Sequence, residues 1–340
     1  MKSGPTGFCA PDYGALVISL DLELHWGVRD LMTAQGSQQQ VFLGARQAIP
    51  EILKLFEAFG VSATWAVVGF LFASSKQELQ SFSPPVRPEY QDANLSPYRE
   101  IIGDSESDDP IHYGPSLIRA IRATPGQEIG THTFSHYYCL EPGQTHVSFG
   151  ADLDSAVALA RRYGITLRSL VFPRNQFNPE YADVVANCGI LCCRGNQAGW
   201  MYRAVERRRE LKVARRLAAL VDTYVNLTGK QNTEWNKLLP QRGVCTVPAS
   251  HCLRPFSPRR AFLDRLRLRR IVQCMRAAAI KQRVFHLWGH PEDFGLYTEA
   301  GIGFLRQVLE VFARCRQQYG MRSLSMAEAA TVAGSFGARS

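Results

Sequence analysis

The sequence predicts an α/β protein whose parallel strands close into a distorted (β/α) barrel of seven or eight strands. Three observations lead to this fold class. Short apolar runs alternate along the chain with amphipathic stretches whose apolar residues recur about every 3.6 positions. The chain has 340 residues, a length that one α/β barrel accommodates. No internal repeat or low-complexity segment interrupts the alternation, so we expect a single domain over residues 1–340.

The predicted strands are short apolar runs that are separated by the amphipathic stretches. They comprise residues 15–20, 61–68, 128–131, 168–172, 190–193, 244–247 and 284–288, with a short last strand at 322–324. The helical period predicts helices over residues 43–59, 115–123, 151–163, 179–187 and 300–319. Residues 58–75 lack charged side chains, but their modest length and their glycines favour a buried strand leading into a helix over a membrane span.

Two insertions extend the predicted barrel. Residues 81–112 are rich in Pro, Ser and Asp and predict a long loop over one face, whereas residues 201–242 are basic and predict a mostly helical segment. Residues 203–216 carry seven basic and two acidic side chains, and residues 259–270 carry six and one, so these two segments account for the whole formal charge of +9. A solvated helix face explains this pattern, and so does a surface for anionic lipid or a pyrophosphate-linked carrier.

Composition excludes several classes of protein. With 46% apolar and 20% charged residues, the chain is neither disordered nor collagen-like. Nine cysteines without a CxxC pair predict reduced thiols rather than a disulfide framework or a structural zinc site. No apolar signal-peptide core stands at the start, so we expect a cytoplasmic protein, peripheral to the inner face of the membrane if the basic segments contact lipid. No motif predicts specific nucleic-acid binding.

Polar side chains follow the first predicted strand. Because side chains alternate along a strand, Asp21, Glu23 and His25 share one side of it. Two carboxylates beside a buried strand are unfavourable unless they are solvated, paired or bound to a cation. A solvated strand end and a cation site both satisfy this requirement.

A pair of histidines follows the third predicted strand. His132 and His136 stand four residues apart, a spacing that brings both imidazoles to one side of a turn or helix. This spacing alone does not specify a metal site. Together with Glu23 it supplies two nitrogens and one carboxylate oxygen, the donor set of a catalytic zinc-type site with open positions for water. His290, which follows the strand at 284–288, lies at the same edge of the sheet and is a candidate general acid.

These segments together resemble the polysaccharide deacetylase family, the NodB-homology or carbohydrate esterase family 4 proteins. The resemblance rests on SLDLE at 19–23, THTFSH at 131–136 and HLWGHP at 286–291, which occur in the family's order and span most of the chain. It implies the NodB-homology form of the barrel. It also implies a metal-dependent hydrolase that removes N-acetyl groups from amino sugars.

Residue roles are carried over by the same resemblance. It implies that Asp21 is the catalytic base and that His290 is the catalytic acid. Glu23, His132 and His136 are then the ligands of a divalent metal, with Zn²⁺ expected first and Co²⁺ or another divalent ion as alternatives. A backbone N–H after His136 or near Phe172 is a candidate donor to the oxyanion of the reaction.

The chain departs from the family's pattern in three places. Asp-Leu-Glu stands where the family has Asp-Asp, so the carboxylate ligand is longer and displaced by one residue. In the third motif Arg174 follows Pro173 instead of preceding it, which leaves the role of Arg174 in holding Asp21 open. The fourth motif's aspartate is absent near Trp200.

Further side chains are candidates for binding or supporting a sugar. Aromatic residues near the predicted edge either stack on a sugar ring or fill the core, and polar residues at strand ends supply contacts. The set comprises His25, Trp26, Tyr137, Tyr138, Pro173, Arg174, Asn175, Trp200, Arg254 and Trp288. The expected substrate is an N-acetylated amino sugar of an intracellular saccharide or glycan precursor, in bacterial surface-polysaccharide biosynthesis.

Two other functions fit the same sequence. One is another C–N hydrolase on this barrel, resembling allantoinase, because fold does not fix the reaction. The other is a catalytically silent protein that binds saccharide or membrane through its basic segments. An assay of acetate release against ring opening separates the first from a deacetylase, and salt-sensitive binding to anionic vesicles indicates the second.

Overall fold

A parallel sheet of nine strands forms the centre of the molecule. The computed structural model describes residues 10–32, 36–206 and 213–337. The strands are β1 Ala15–Leu22, β2 Ala63–Val67, β3 Gln127–Thr131, β4 Ser169–Leu170, β5 Cys192–Gly195, β6 Cys245–Pro248, β7 His251–Leu253, β8 Val284–Gly289 and β9 Arg322–Leu324. Their order is β6-β5-β4-β3-β2-β1-β8-β7, with β9 on β1. This sheet curls into a half-barrel, and the predicted fold class is confirmed.

Strand β1 pairs with three other strands, and all eight of its residues are buried. One edge pairs with β8 from Ala15 to Leu20. The other edge pairs first with β9 and then, from Ser19 to Leu22, with β2. Because every neighbour is parallel, the carboxyl ends of β1, β2 and β8 lie at one edge of the sheet.

Helices cover the outside of the sheet. They are α1 Gln39–Phe59, α2 Lys76–Ser81, α3 Pro115–Ala123, α4 His146–Arg162, α5 Ala182–Asn187, α6 Val213–Tyr224, α7 Asp264–Ile280, α8 Thr298–Tyr319 and α9 Met326–Gly337. The apolar faces of α1, α7 and α8 pack with β1 and β8 into the largest core cluster. The predicted helix at 179–187 is instead a 3-10 turn at Pro179–Tyr181 followed by the short α5.

Strand β7 and helices α2 and α9 were not predicted. β7 has only three residues and follows β6 after two residues, so periodicity does not separate the two strands. Helix α2 has only six residues, and the buried face of α9 consists mainly of alanines, which give a weak hydrophobic pattern. The uncharged segment at 58–75 contains β2 and a 3-10 helix, Gly69–Phe72, as expected. Among the described residues, no helix is both long enough and apolar enough to span a membrane.

The basic segment at 259–270 is not simply a solvated helix face. Arg267 and Arg270, on α7, are each only 3% exposed. Arg270 pairs with Asp222 of α6 at 2.9 Å, and Arg267 lies over the ring of Phe304. These arginines therefore belong to the packing between helices. Of the other basic segment, residues 207–212 lie outside the described residues.

Candidate active site

The carboxyl ends of three strands bring the predicted chemical groups together. Asp21 lies near the end of β1, and Glu23 follows the strand directly. His132 is the first residue after β3, and His290 is the first after β8. Parallel strands end at a common edge, where polar side chains from distant parts of a chain meet.

Glu23 lies against both histidines of the HxxxH pair. Its Oε1 atom is 2.8 Å from His132 Nε2 and 3.3 Å from His136 Nε2. Burial raises the pKa of Glu23, but the two imidazoles outweigh burial and hold it well below its usual range. Burial lowers the pKa of His136 to about 4, even though Glu23 opposes that shift. The site therefore holds a carboxylate with a neutral His136 imidazole, the protonation states that metal ligands require.

The three side chains also fit a divalent cation by their spacing and by the unsatisfied ring nitrogens of His132. Their candidate ligand atoms all lie within 4.8 Å of one another. His132 is 1% exposed, and neither of its ring nitrogens has a hydrogen-bond partner with acceptable geometry among the described residues. A buried imidazole without a hydrogen bond is unfavourable unless a ligand satisfies it. Glu23, His132 and His136 would thus hold the metal.

A tight loop, rather than a helix, positions the two histidines. Thr133 and His136 both have positive φ, 62° and 55°, a conformation that few residues other than glycine adopt. Asp152, on α4, accepts the Phe134 N–H at 2.7 Å and binds the N–H and hydroxyl of Ser135. This buried carboxylate fixes the loop between the ligands.

The backbone N–H after His136 is already used. Tyr137 donates it to the Thr133 hydroxyl at 2.7 Å. This bond closes the loop, so the expected oxyanion donor at this position is wrong for the conformation described.

Glu292 fixes the backbone that carries Glu23. Its Oε1 accepts the N–H of Glu23 at 3.0 Å and also that of Leu24. Burial raises the pKa of Glu292 to about 8, with the charge of Glu23 as the next cause. Sequence analysis did not identify this residue, although it stands two positions after His290.

Arg194, on β5, holds the carboxylate of Asp21. Its two terminal nitrogens each lie 2.6 Å from one oxygen of Asp21, and both side chains are at most 3% exposed. Asn175 accepts a further hydrogen bond from Arg194 at 2.9 Å. The open question about Arg174 is thereby answered: it pairs with Asp30 at 2.8 Å, not with Asp21.

His290 lies between two carboxylates. Its Nε2 is 3.8 Å from Asp21 Oδ2, and its Nδ1 is 3.4 Å from Asp293 Oδ2. Burial lowers the pKa of His290, but Asp293, Glu23 and Asp21 together hold it well above its ordinary value. With about a third of its side chain exposed, the imidazolium is accessible from solvent.

A cavity of about 710 Å³ opens beside these groups. His290, Asp293 and Trp288 lie in its wall, and the Trp288 ring also packs on the guanidinium of Arg194, 4.4 Å from its centre. Arg174, Asn175 and Arg254 line it as well. Pro173 is buried in a 3-10 turn, Pro173–Asn175, which presents its two neighbours to the cavity.

His25 does not join the carboxylates with which it was grouped. Strand β1 ends at Leu22, and a 3-10 helix, Leu24–Gly27, ends the alternation of side chains before His25. His25 Nδ1 lies 2.9 Å from His112 Nε2, and His25 Nε2 lies 3.0 Å from the Met32 carbonyl. It belongs to a separate buried network.

Four of the aromatic candidates also lie away from this cavity. Trp26, Tyr137 and Tyr138 are at most 1% exposed and pack in the interior. Trp200 is 55% exposed and borders a different hollow, beside Leu227 and Thr228. Of the proposed stacking residues, Trp288 alone lines the cavity beside His290.

The chain matches one protein-family model, and its fold is similar to that of several solved structures. The family model described as polysaccharide deacetylase matches residues 42–192, which include both site histidines. A protein of Mycobacterium smegmatis proposed to be a polysaccharide deacetylase superposes with a TM-score of 0.57 at 15% identity, covering 95% of this chain and 91% of the other. No curated protein sequence matches the chain.

Two further structures share the fold. A protein of Pseudomonas aeruginosa PAO1, also proposed to be a polysaccharide deacetylase, has a TM-score of 0.55 at 10% identity and coverages of 94% and 91%. Puue allantoinase has a TM-score of 0.53 at 12% identity and coverages of 97% and 94%. The resemblance that the sequence motifs indicated is therefore confirmed.

Proposed function

We propose that this chain is a metal-dependent hydrolase that removes N-acetyl groups from amino sugars. Its resemblance to the polysaccharide deacetylase family supports this proposal. One observation carries the proposal. A three-residue set of metal donors, Glu23 with His132 and His136, lies beside a buried carboxylate, Asp21, and a histidine with a raised pKa, His290. The proposed base, Asp21, and the proposed acid, His290, therefore both lie beside the proposed metal donors.

Each of the chain's own groups has a distinct part in the reaction. A divalent ion held by Glu23, His132 and His136 would polarise an acetyl carbonyl and acidify water. Asp21 accepts the proton of the attacking water, and Arg194 orients it for that step. His290, whose pKa is raised, supplies a proton to the leaving amine, without which the C–N bond breaks slowly.

Zn²⁺ is the proposed ion, because two imidazoles and one carboxylate with room for water form a common catalytic zinc set. Co²⁺ or another divalent ion suits the same donors. The cavity beside His290 is the proposed saccharide site, with Trp288 as a stacking surface for a sugar ring.

The proposed substrate is a glycan precursor of bacterial surface-polysaccharide biosynthesis in the cytoplasm. The abundance of arginine around the cavity and on α6 supports a pyrophosphate-linked carrier or anionic lipid as the partner.

Elemental analysis of the purified protein, with an acetate-release assay over N-acetylhexosamine substrates, tests the proposal. We expect about one divalent ion per chain and acetate release that a chelator abolishes. Ring opening of a cyclic ureide without acetate release would instead identify an allantoinase-like hydrolase. Saccharide binding without either product would identify a catalytically silent protein.

A further inference from the structure

The cavity beside His290 is strongly cationic. Six arginines line it, whereas Asp293 is the one carboxylate among the described lining residues. The arginines are Arg174, Arg203, Arg215, Arg216, Arg254 and Arg260. A neutral oligosaccharide does not require such a surface, because hydroxyl groups are bound well by uncharged polar and aromatic side chains. The excess of guanidinium groups therefore indicates that the ligand carries negative charge.

These arginines come from separate parts of the chain. Arg174 follows β4, Arg254 follows β7, and Arg260 lies in the 3-10 helix Pro258–Leu263 that precedes α7. Arg215 and Arg216 belong to α6. Segments that are far apart in the sequence thus contribute arginines to one cavity. A run of charges along one solvated helix would instead direct many of its side chains into solvent.

The fold holds the arginine-bearing segments in place. Asp222, near the end of α6, is 1% exposed and binds Arg270 of α7 at 2.9 Å and the Tyr202 hydroxyl at 2.8 Å. Arg254 donates from Nε to the Thr223 hydroxyl at 2.8 Å. Asp222 and Arg270 are paired with each other outside the cavity lining, so they leave the excess positive charge of the cavity unchanged. Arg174 adds less to that excess, because Asp30, which does not line the cavity, pairs with it at 2.8 Å.

We propose that this cavity binds a phosphate or diphosphate group covalently attached to the saccharide substrate. The inference rests on the proposed deacetylase function and narrows its substrate class. Guanidinium groups bind phosphate oxygens through paired N–H donors, and a cavity lined by several arginines suits a diphosphate better than a single carboxylate. A volume of about 710 Å³ accommodates a sugar ring at Trp288 and His290 together with the anionic group.

Binding of inorganic pyrophosphate by isothermal titration calorimetry tests the anion site directly. The full-length, metal-loaded protein is compared with the double variant Arg254→Ala/Arg260→Ala, so that any contact of the probe with the metal is common to both. We expect the dissociation constant to increase about tenfold or more in the double variant. The variant Arg254→Lys/Arg260→Lys retains the charge and should recover part of the affinity.

Arg119→Ala is the matched control, because Arg119 is an exposed arginine on α3 outside the cavity lining. It should bind pyrophosphate as the wild type does. Equal affinity in the wild type and the alanine double variant, or no saturable binding by the wild type, overturns the inference. Thermal unfolding of each variant verifies that the fold is retained.

Substrate comparison then identifies the source of the anionic group. Acetate release is measured with a neutral N-acetylhexosamine oligosaccharide, a nucleoside-diphosphate N-acetylhexosamine, and a polyprenyl-diphosphate N-acetylhexosamine in micelles. We expect kcat/KM for one of the diphosphates to exceed that of the neutral substrate at least tenfold, and the arginine double variant to abolish that preference. The preferred diphosphate shows whether the carrier is soluble or a lipid.

The two proposals fail in different ways. Turnover of the neutral oligosaccharide with no gain from either diphosphate refutes the anion site while the deacetylase proposal stands. Arginine-dependent pyrophosphate binding without acetate release from any substrate refutes the deacetylase proposal and leaves an anion-binding cavity.

Discussion

Arg194 and Asp21 form a buried bidentate ion pair, in which each terminal guanidinium nitrogen lies 2.6 Å from a different carboxylate oxygen. The two parallel hydrogen bonds fix the plane of the carboxylate as well as its position. Arg194 is thus a positioning residue for the proposed base, and the pair joins β5 to β1 across 173 positions of sequence.

Replacing Arg194 by lysine should lower activity more than stability. Arg194→Lys keeps the positive charge but loses the second hydrogen bond to Asp21, so we expect kcat to fall about 10–100-fold with the metal content unchanged. Arg194→Met removes the charge and leaves a buried carboxylate unpaired, which should cost about 3–5 kcal/mol of unfolding free energy. The double variant with Asp21→Asn should recover much of that stability, as measured by urea denaturation. If the losses of unfolding free energy in Arg194→Met and Asp21→Asn simply added in the double variant, the pairing of the two side chains would be contradicted.

Metal binding should depend on His132 and not on an exposed histidine. His132→Ala removes one of three proposed ligands, and we expect the bound divalent ion to be lost on dialysis. His146→Ala, at the exposed start of α4, serves as the control and should retain the metal. Elemental analysis measures both, and unchanged metal in His132→Ala would show that the ligand set is assigned wrongly.

The sequence predicted most of the proposed site because four of its residues lie at or directly after the end of an apolar strand, and His136 follows from its spacing to His132. Asp21, Glu23, His132 and His290 are recognisable from local pattern, since parallel strands must end at one edge. His25 illustrates where that reasoning fails, because alternation holds only while the strand continues. The turn after Leu22 is set by tertiary contacts, including those of Glu292, rather than by local propensity.

Arg194 was missed for a different reason. Its partner lies far away in sequence, so no local spacing connects them. A signal was nevertheless present: an arginine stands in the short strand Cys192–Gly195, all four residues of which are buried. Because a charged side chain is rarely buried without a partner, that arginine indicated a buried carboxylate, and Asp21 was a candidate.

The alkaline limit of activity should depend on Asp293. A general acid acts only while protonated, so kcat/KM should fall as pH rises through the pKa of His290. Burial lowers that pKa, but Asp293 is the largest contributor in the opposite direction and the net shift is well upward. Asp293→Asn should therefore move the alkaline limb to lower pH. Asp183→Asn, an exposed aspartate on α5, should leave it in place, and an unmoved limb in Asp293→Asn would argue against His290 as the acid.

Asp152 should stabilise the histidine loop in a pH-dependent way. Asp152→Ala removes the acceptor for Phe134 and Ser135, so unfolding free energy should fall by about 2–4 kcal/mol. Burial raises the pKa of Asp152 to about 7 despite these hydrogen bonds. A raised folded-state pKa means that the carboxyl group's contribution to stability is complete below its unfolded pKa and is lost as pH rises through about 7.

Urea denaturation between pH 5 and about 8 measures this effect. The wild type should lose stability over that range relative to Asp152→Asn, which does not titrate. Asp154→Asn, exposed on the same helix, should follow the wild type. Parallel curves for the wild type and Asp152→Asn would show that the buried carboxyl group does not titrate there.

Gly27 should control the placement of Glu23 by leaving room for it. A Cβ atom at Gly27 would lie 1.6 Å from Glu23 Oε2 and 2.9 Å from Glu23 Cβ, so Gly27→Ala must displace that side chain. Because the two closest atoms, Oε2 and Cδ, belong to the flexible end of the side chain, the fold should survive while the carboxylate leaves the two histidines. We expect metal affinity to fall at least about tenfold with little loss of stability.

Gly303→Ala is the control, since its added Cβ would meet nothing within 4 Å in α8. That variant should keep the metal and gain up to about 1 kcal/mol of stability. Full metal affinity in Gly27→Ala would mean that Glu23 does not need its present position and would remove it from the ligand set.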